Sequence, residues 1–317
     1  MLCLSTSNTN NTQMNSLRFE QFSAVVSINL IDAKVSNPCV TEPCCLTTSY
    51  YICGLLISIL TMHRYFLRLS YKGTHYSGWQ IQENAISVQE KLNQALSLIL
   101  DENIQSVGCG RTDTGVHAKQ FYAHFDCSRI PADAEKVIYQ VNAVLPYDIS
   151  IAELIPVDAD AHSRYDATSR SYEYFIAGYK NPFLKEFAMH GFMNPDPDLM
   201  NEACSHLFNY NDFTSFSKSN TQVKTNICTI TAAKWVVKND LMIFTISADR
   251  FLRGMVRAVV GTMIDIGTGK IDPDKMAVII ESKNRKEAGF SVPACGLFLS
   301  KIEYPYLSNI SSPSFPA

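Results

Sequence analysis

From residue 64 onward the hydrophobic pattern is regular enough to read. Tyr65, Leu67, Leu69 and Tyr71 alternate with Phe66, Arg68 and Ser70, a period of two that predicts a strand over 64–71, and Lys72-Gly73-Thr74 ends it. Val88, Leu92, Ala95, Leu96 and Ile99 then recur at helical spacing. Ser87, with Glu90 three residues later, has the pattern of a capping box at the helix start. The pattern next predicts a short strand near 105–110, a strand over 119–127 with Phe121, Ala123 and Phe125 on one face, a helix near 133–144 and a strand near 148–155. After a turn-rich connection the same order returns: strand 170–177, helix 197–209, strands 226–237 and 241–249, helix 252–266 with another near 273–283, and strand 296–303. Both halves read β-α-β-β-α-β, so the fold class expected is α+β, built from two ferredoxin-like units. The expected domains are 63–168 and 169–317. Joined edge to edge, they would form a long antiparallel sheet with helices on one side and an open central cleft on the other.

The first 62 residues follow neither period. They hold two basic residues, Arg18 and Lys34, and three acidic ones, Glu20, Asp32 and Glu42, after an Asn/Thr/Ser-rich start. They are read as an extension with no predicted fold. The apolar run at 50–60 is 11 residues long, short of the roughly 20 that a membrane-spanning helix needs. It also lacks the basic flank of a signal peptide. The hypothesis that follows is that the functional chain begins at Met62 and that the stretch upstream of it lies outside.

With 46% hydrophobic and 18% charged residues, the 317-residue chain has ample material for a packed core, which excludes wholesale disorder. A net charge of -3 removes the uniformly basic proteins but leaves room for a local basic groove. Of the ten cysteines, Cys3, Cys39, Cys44, Cys45 and Cys53 precede residue 63. Cys109, Cys127, Cys204, Cys228 and Cys295 form no C-x-x-C pair. A reducing, cytoplasmic setting without a structural metal is expected, and Cys39-x4-Cys44-Cys45 stands too isolated to predict one.

The segment 108–118, Gly-Cys-Gly-Arg-Thr-Asp-Thr-Gly-Val-His-Ala, is a polar loop between two strands. Gly110 and Gly115 permit conformations or close approaches closed to larger residues, so Asp113 is expected at a constrained turn, where it either caps the backbone or faces a substrate. Arg250, Arg253 and Arg257 share a helix face if the helix reaches back that far, as a solvated face or as an anion-binding one. Tyr172, Tyr174 and Ile176 fall on one strand face, where an aromatic is core or a stacking platform. His117 reads as a general base or equally as a turn histidine with local hydrogen bonds, and it is assigned no chemistry.

These residues carry a resemblance. Gly-Arg-Thr-Asp-Thr-Gly-Val-His-Ala at 110–118, with Tyr-Lys-Gly-Thr-His-Tyr-Ser-Gly-Trp-Gln at 71–80, Phe-Leu-Arg-Gly-Met-Val-Arg at 251–257 and Gly-Leu-Phe-Leu at 296–299, resembles the TruA family of tRNA pseudouridine synthases over residues 64 to about 303. The resemblance implies Asp113 as nucleophile, Arg257 as its basic partner and Tyr172 as the residue that stacks on the base. It further implies Arg111 as the arginine that helps displace the flipped base, Leu297 as an apolar pocket residue, and Arg253 as an RNA contact. It implies modification of uridines 38 to 40 in the anticodon arm, by a homodimer in which both subunits hold one tRNA. Residues 1–62 have no counterpart in the pattern.

The reaction implied breaks the C1′–N1 bond of uridine, turns the uracil and joins C1′ to C5. Nothing is gained or lost, so no cofactor is expected, and neither a G-x-x-x-x-G-K nor a G-x-G-x-x-G motif is present. An ionised carboxylate is required. Asp113 could attack C1′, add at C6 or remove a C2′ proton. A permanent cation such as Arg257 would keep it charged in a partly desolvated site. Two other classes stay open. Asp113-Thr114-Gly115 is the D-T-G triplet of aspartic proteases, but that chemistry needs two carboxylates and the chain has one such triplet in a sequence with strong helical periods. A non-catalytic RNA-binding module would not need the Asp, Arg and Tyr set.

Overall fold

The alternating segment at the start becomes strand β1 (His63–Tyr71). It is followed by α1 (Val88–Leu100), β2 (Val107–Gly108), β3 (His117–Cys127), α2 (Ala134–Val144) and β4 (Ile149–Val157). The second half contributes β5 (Ser169–Ala177), β6 (Met189–His190), α3 (Pro197–Leu207), β7 (Ile230–Lys238), β8 (Leu241–Ala248), α4 (Met255–Gly267), α5 (Lys275–Ser282) and β9 (Leu297–Glu303). This is a computed structural model, and it describes residues 62–128, 131, 133–191, 194–218 and 225–307. The readings made for residues 1–61, with the apolar run at 50–60 and Cys39, Cys44 and Cys45, lie outside the described residues.

Local chemistry explains the element ends. The Ser87 side chain accepts from the Glu90 amide and caps α1, a contact worth about 1 kcal/mol. Asp133 caps α2 in the same way through the Lys136 amide. Pro197 opens α3, where its missing amide hydrogen costs nothing. The β7–β8 hairpin turns on Asn239 and Asp240, both in the left-handed region at φ 50° and 61°, as a two-residue turn of this hand requires.

The strands form one mixed sheet in the order β4-β1-β3-β9-β5-β8-β7, with β2 added to β3 and β6 to β5. Each half therefore places its strands in the same spatial order: last, first, third, second. The fold is α+β, as the pattern predicted, but the sheet is not wholly antiparallel. The halves meet where β3 runs parallel to β9, over His117↔Phe298 and Ala118↔Leu299, and β6 is parallel to β5. The junction is short because β2 already occupies the far part of the same β3 edge, opposite Ala123 and His124. The strand expected at 105–110 shrinks to two residues for that reason, and the one expected from 226 begins at Ile230.

Two apolar clusters flank the junction. One gathers Phe66, Leu67, Leu92, Leu96, Phe121 and Phe125 from the first half. The other gathers Tyr174, Trp235, Phe244, Met255, Val259 and Met263 from the second. Of the thirteen residues of α4, all but Arg257 and Asp265 are buried, so this helix is apolar nearly all round and runs through the core of its half. Partly buried Tyr172 packs against both clusters.

Candidate active site

Asp113 sits on the loop between β2 and β3, and the path of that loop is set by close backbone contacts. Gly78, at φ +90°, lies against it so tightly that a Cβ would stand 2.2 Å from the Thr112 carbonyl oxygen. Trp79 donates its amide to that same carbonyl at 3.4 Å, and the buried Thr112 hydroxyl is paired with the Tyr71 hydroxyl at 2.9 Å. After Asp113 the chain turns sharply: Val116 N–H donates to the Asp113 carbonyl, and Gly115, at φ +78°, donates to the Tyr76 carbonyl. Only a residue tolerant of the left-handed region fits at 115. Gly110, expected to be equally constrained, is not: a Cβ there meets nothing within 4 Å. The close approach that the loop needs is supplied from outside it, by Gly78.

The Asp113 carboxylate, 28% exposed, lies between two arginines. Arg253 Nε is 3.5 Å from Oδ1, and Arg257 Nη1 is 3.8 Å from Oδ2. These separations give charge pairing without tight hydrogen bonds, so the carboxylate lone pairs are not consumed. Arg257 is aimed by its other nitrogen: Nε donates to the Val292 carbonyl at 2.6 Å, and the Val292 amide donates back to the Arg257 carbonyl. It projects from the first turn of a buried helix, whereas Arg253 lies in the loop before it and is 59% exposed.

The expected shared helical face of Arg250, Arg253 and Arg257 does not form. Helix α4 begins at Met255, three residues later than predicted, because Gly254 takes a left-handed conformation at φ 72° and interrupts any earlier turn. Arg253 and Arg257 meet at Asp113 all the same, one from the loop and one from the helix.

Tyr172 stands on β5 opposite Ile246 and therefore on the face that carries the helices. Its ring meets Phe251 edge-on at 5.1 Å, a contact of about 0.5–1.5 kcal/mol that fixes the ring plane. Burial holds the Tyr172 hydroxyl well above the usual phenol range, and the negative charge of Asp113 acts in the same direction, so the group stays neutral. Tyr172 and Arg257 thus lie on the helix-bearing side of the sheet. The cleft expected on the opposite side is corrected accordingly, since Arg257 itself comes from a helix.

The remaining predicted residues are placed as follows. Arg111 is exposed two residues before Asp113. Leu297 opens β9 opposite Tyr174 and is buried in the core of the second half. Tyr174 is fully buried with its hydroxyl on the Pro293 carbonyl, in agreement with a packing role. His117 is structural too. Its Nδ1 accepts from the Gly73 amide, its Nε2 donates to the Glu186 and Cys295 carbonyls, and burial lowers its pKa, so it is a neutral strut. The nearby Cys109 thiol is pushed up to about 12 by burial and is no nucleophile at neutral pH. Among the described residues no group of three or more His, Cys, Asp or Glu side chains is placed to hold a metal ion, and no helix is long and apolar enough to cross a membrane.

Sequence reasoning passed over Phe251, Thr112 and Arg170. Phe251 carried a signal, standing two residues before Arg253. Arg170, two residues before Tyr172, carried none beyond its place on the same strand face.

The chain is similar to known proteins over most of its length. Residues 203–305 match the tRNA pseudouridine synthase family. The tRNA pseudouridine synthase A of Bacteroides fragilis is 50% identical over 248 residues, which cover 78% of this chain and 98% of that protein. The enzyme of the same name from Parabacteroides distasonis is 46% identical over 244 residues, 77% of this chain and 97% of that protein. The one from Clostridium acetobutylicum is 39% identical over 240 residues, 75% and 98%.

Proposed function

The chain belongs to the tRNA pseudouridine synthase A family and is an isomerase of tRNA uridines, and from that premise we propose that it modifies uridines 38 to 40 of the anticodon arm with Asp113 as nucleophile. The observation that carries this reading is the position of the Asp113 carboxylate between Arg253 and Arg257.

A uridine in a paired stem must leave its stack to reach a carboxylate held in this way, at a cost of a few kcal/mol. Tyr172 offers a flat, neutral surface for the extruded uracil, worth about 1–3 kcal/mol. Arg111, exposed beside the loop, fills the place that the base leaves. Leu297 supports the apolar side of the pocket. Asp113, kept close to two cations, attacks the ribose or the base or removes a ribose proton, and the uracil reattaches through C5. Each atom of the substrate is retained, so the chemistry calls for no cofactor. Arg253, on the solvent side, also meets the RNA backbone, and such contacts supply most of the affinity and make it fall with salt.

Residues 63–168 form the domain that bears the aspartate, and residues 169–317 the domain that bears its cations. The reading includes a homodimer that holds one tRNA across both subunits, acting in the cytoplasm, with residues 1–62 dispensable for the chemistry. The deciding experiment is incubation of the protein with an unmodified tRNA transcript, followed by pseudouridine mapping at single-nucleotide resolution. Product confined to positions 38–40 supports the reading. Product elsewhere in the tRNA would overturn the site, and none at all would leave an RNA-binding protein.

A further inference from the structure

Arg170 lies on β5 two residues before Tyr172, opposite Ala248, so its side chain leaves the same face of the sheet. Its guanidinium joins three separate stretches of chain. Nη1 donates to the Ala167 carbonyl at 3.3 Å and the Asp249 carbonyl at 2.7 Å; Nη2 donates to the Cys109 carbonyl at 3.2 Å and the Arg164 carbonyl at 2.7 Å. Each terminal nitrogen has two N–H groups, and each is matched by two carbonyls. The four terminal N–H groups are therefore engaged with main chain, and the arginine is not a spare cation waiting for a phosphate.

The three stretches are the ones that build the site. Cys109 begins the loop that carries Asp113. Asp249 begins the loop that carries Arg253 and leads into α4 with Arg257. Arg164 and Ala167 belong to the connector between β4 and β5, which is anchored at Ser163. Ser163 there is fully buried, its hydroxyl on His124 and the Val107 carbonyl and its own carbonyl bonded by Tyr304. Arg170 thus ties both halves of the charge cluster to a fixed point, in a plane that only a guanidinium fork can span.

We propose that Arg170 is a positioning residue for the isomerisation: it sets the separation of Asp113 from Arg253 and Arg257 by holding the two loops in register. This rests on the activity proposed above. A displacement of about 1 Å in a reacting group can lower a rate by about 100-fold. An ammonium at this position would reach some of the four carbonyls from a single point and leave the others untied.

The test uses the full chain, with Arg170→Lys and Arg170→Ala compared with wild type in single-turnover pseudouridine formation on saturating tRNA transcript. Filter binding and thermal unfolding are measured on the same preparations. The lysine variant is expected to react about 10- to 100-fold more slowly and the alanine variant slower still, while tRNA affinity changes by less than about threefold. Millimolar guanidinium is expected to restore part of the alanine variant's rate and to leave Asp113→Asn inactive. A folded lysine variant with a rate within about threefold of wild type overturns the proposal, as does a loss of affinity at an unchanged rate, which would mark a phosphate contact. Failure of both variants to fold would make the residue purely structural and overturn it equally. If wild type itself forms no pseudouridine, the activity reading fails instead, and the control separates the two cases.

Discussion

The two halves of the sheet share a strand order and differ in what holds them together. Among the described residues, nine buried polar or charged ones lie in the first half or its connector: Arg68, Ser87, Asn93, Ser106, Thr112, His117, Gln120, His124 and Ser163. Among those of the second half there are three, Ser215, Ser217 and Thr262. In the first half these groups pin irregular chain. Asn93 accepts from both the amide and the hydroxyl of Ser106, Thr112 pairs with Tyr71, His117 ties Gly73 to Glu186 and Cys295, and His124 holds Ser163. In the second half the corresponding work falls to apolar packing around α4, with sulfur contacts such as Trp235 Nε1 to Met263 Sδ at 3.1 Å. A carboxylate on a loop needs polar pins, because a loop has no ladder of its own to hold it. An arginine on a buried helix starts from a fixed backbone, and one hydrogen bond to the Val292 carbonyl completes its aim.

The comparison can be broken in four places. The largest effect is expected at the charge that the first half presents: Asp113→Asn should lower pseudouridine formation by more than about 1000-fold, with tRNA binding retained because the phosphate contacts are untouched. Single-turnover assays beside filter binding check this. A nearly unchanged rate would reduce Asp113 to a turn residue, for which Asn is almost as good.

Next is the apolar core of the second half. Met263→Ala should cost about 2–5 kcal/mol of stability by opening a cavity and leaving the Trp235 N–H without its sulfur. Its turnover, measured well below the unfolding temperature, should stay close to wild type. Denaturant melts and initial rates distinguish this from a site defect.

The third concerns acid. Burial, aided by the charge of Arg64, holds the His124 imidazole down to about 4, while in the unfolded chain it titrates near its ordinary value of about 6.5. Between those values the unfolded state binds a proton that the native state refuses. Stability should therefore be complete above about pH 6.5 and fall as pH drops toward 4, by up to ~3 kcal/mol from this group. His117, lowered by burial as well, acts with the same sign. Urea midpoints at pH 7.5 and 4.5 for wild type and His124→Asn test this, and the variant should show the smaller difference.

The smallest effect is expected at a single pin. Thr112→Val removes the hydroxyl bonded to Tyr71 and leaves that phenol buried without its partner, for a stability loss of about 1–3 kcal/mol. Because the pin is adjacent to Asp113, the rate should fall more than stability alone explains. Equal turnover per folded molecule would show that the loop is held well enough by its backbone contacts.

Much of the molecule could be read along the chain because the signals are local. The periods of two and of 3.6, the Ser87 cap and the Pro197 start depend on neighbours a few residues away, and the strands and helices they predict are present within a few residues. Asp113, Arg257 and Tyr172 stood out through their motifs, and the structure pairs Asp113 with Arg257. Where the reading failed, a contact distant in sequence or a backbone angle was decisive. Gly254 stopped the helix that would have aligned three arginines, and the freedom assigned to Gly110 belongs to Gly78, which is met only across the fold.

The sequence by itself determined which faces of each strand and helix are apolar, the repeated order of elements and the residue types available for chemistry, because side-chain periodicity and turn preferences act within a few residues. Tertiary structure alone decided that β9 would run parallel to the start of β3, that the site would open on the helix side, and that Arg170 would span Cys109, Arg164 and Asp249. Those outcomes depend on which backbone groups remain unpaired once the strands have met, and on the few ångströms that separate segments far apart along the chain. Neither quantity exists until the chain has closed on itself.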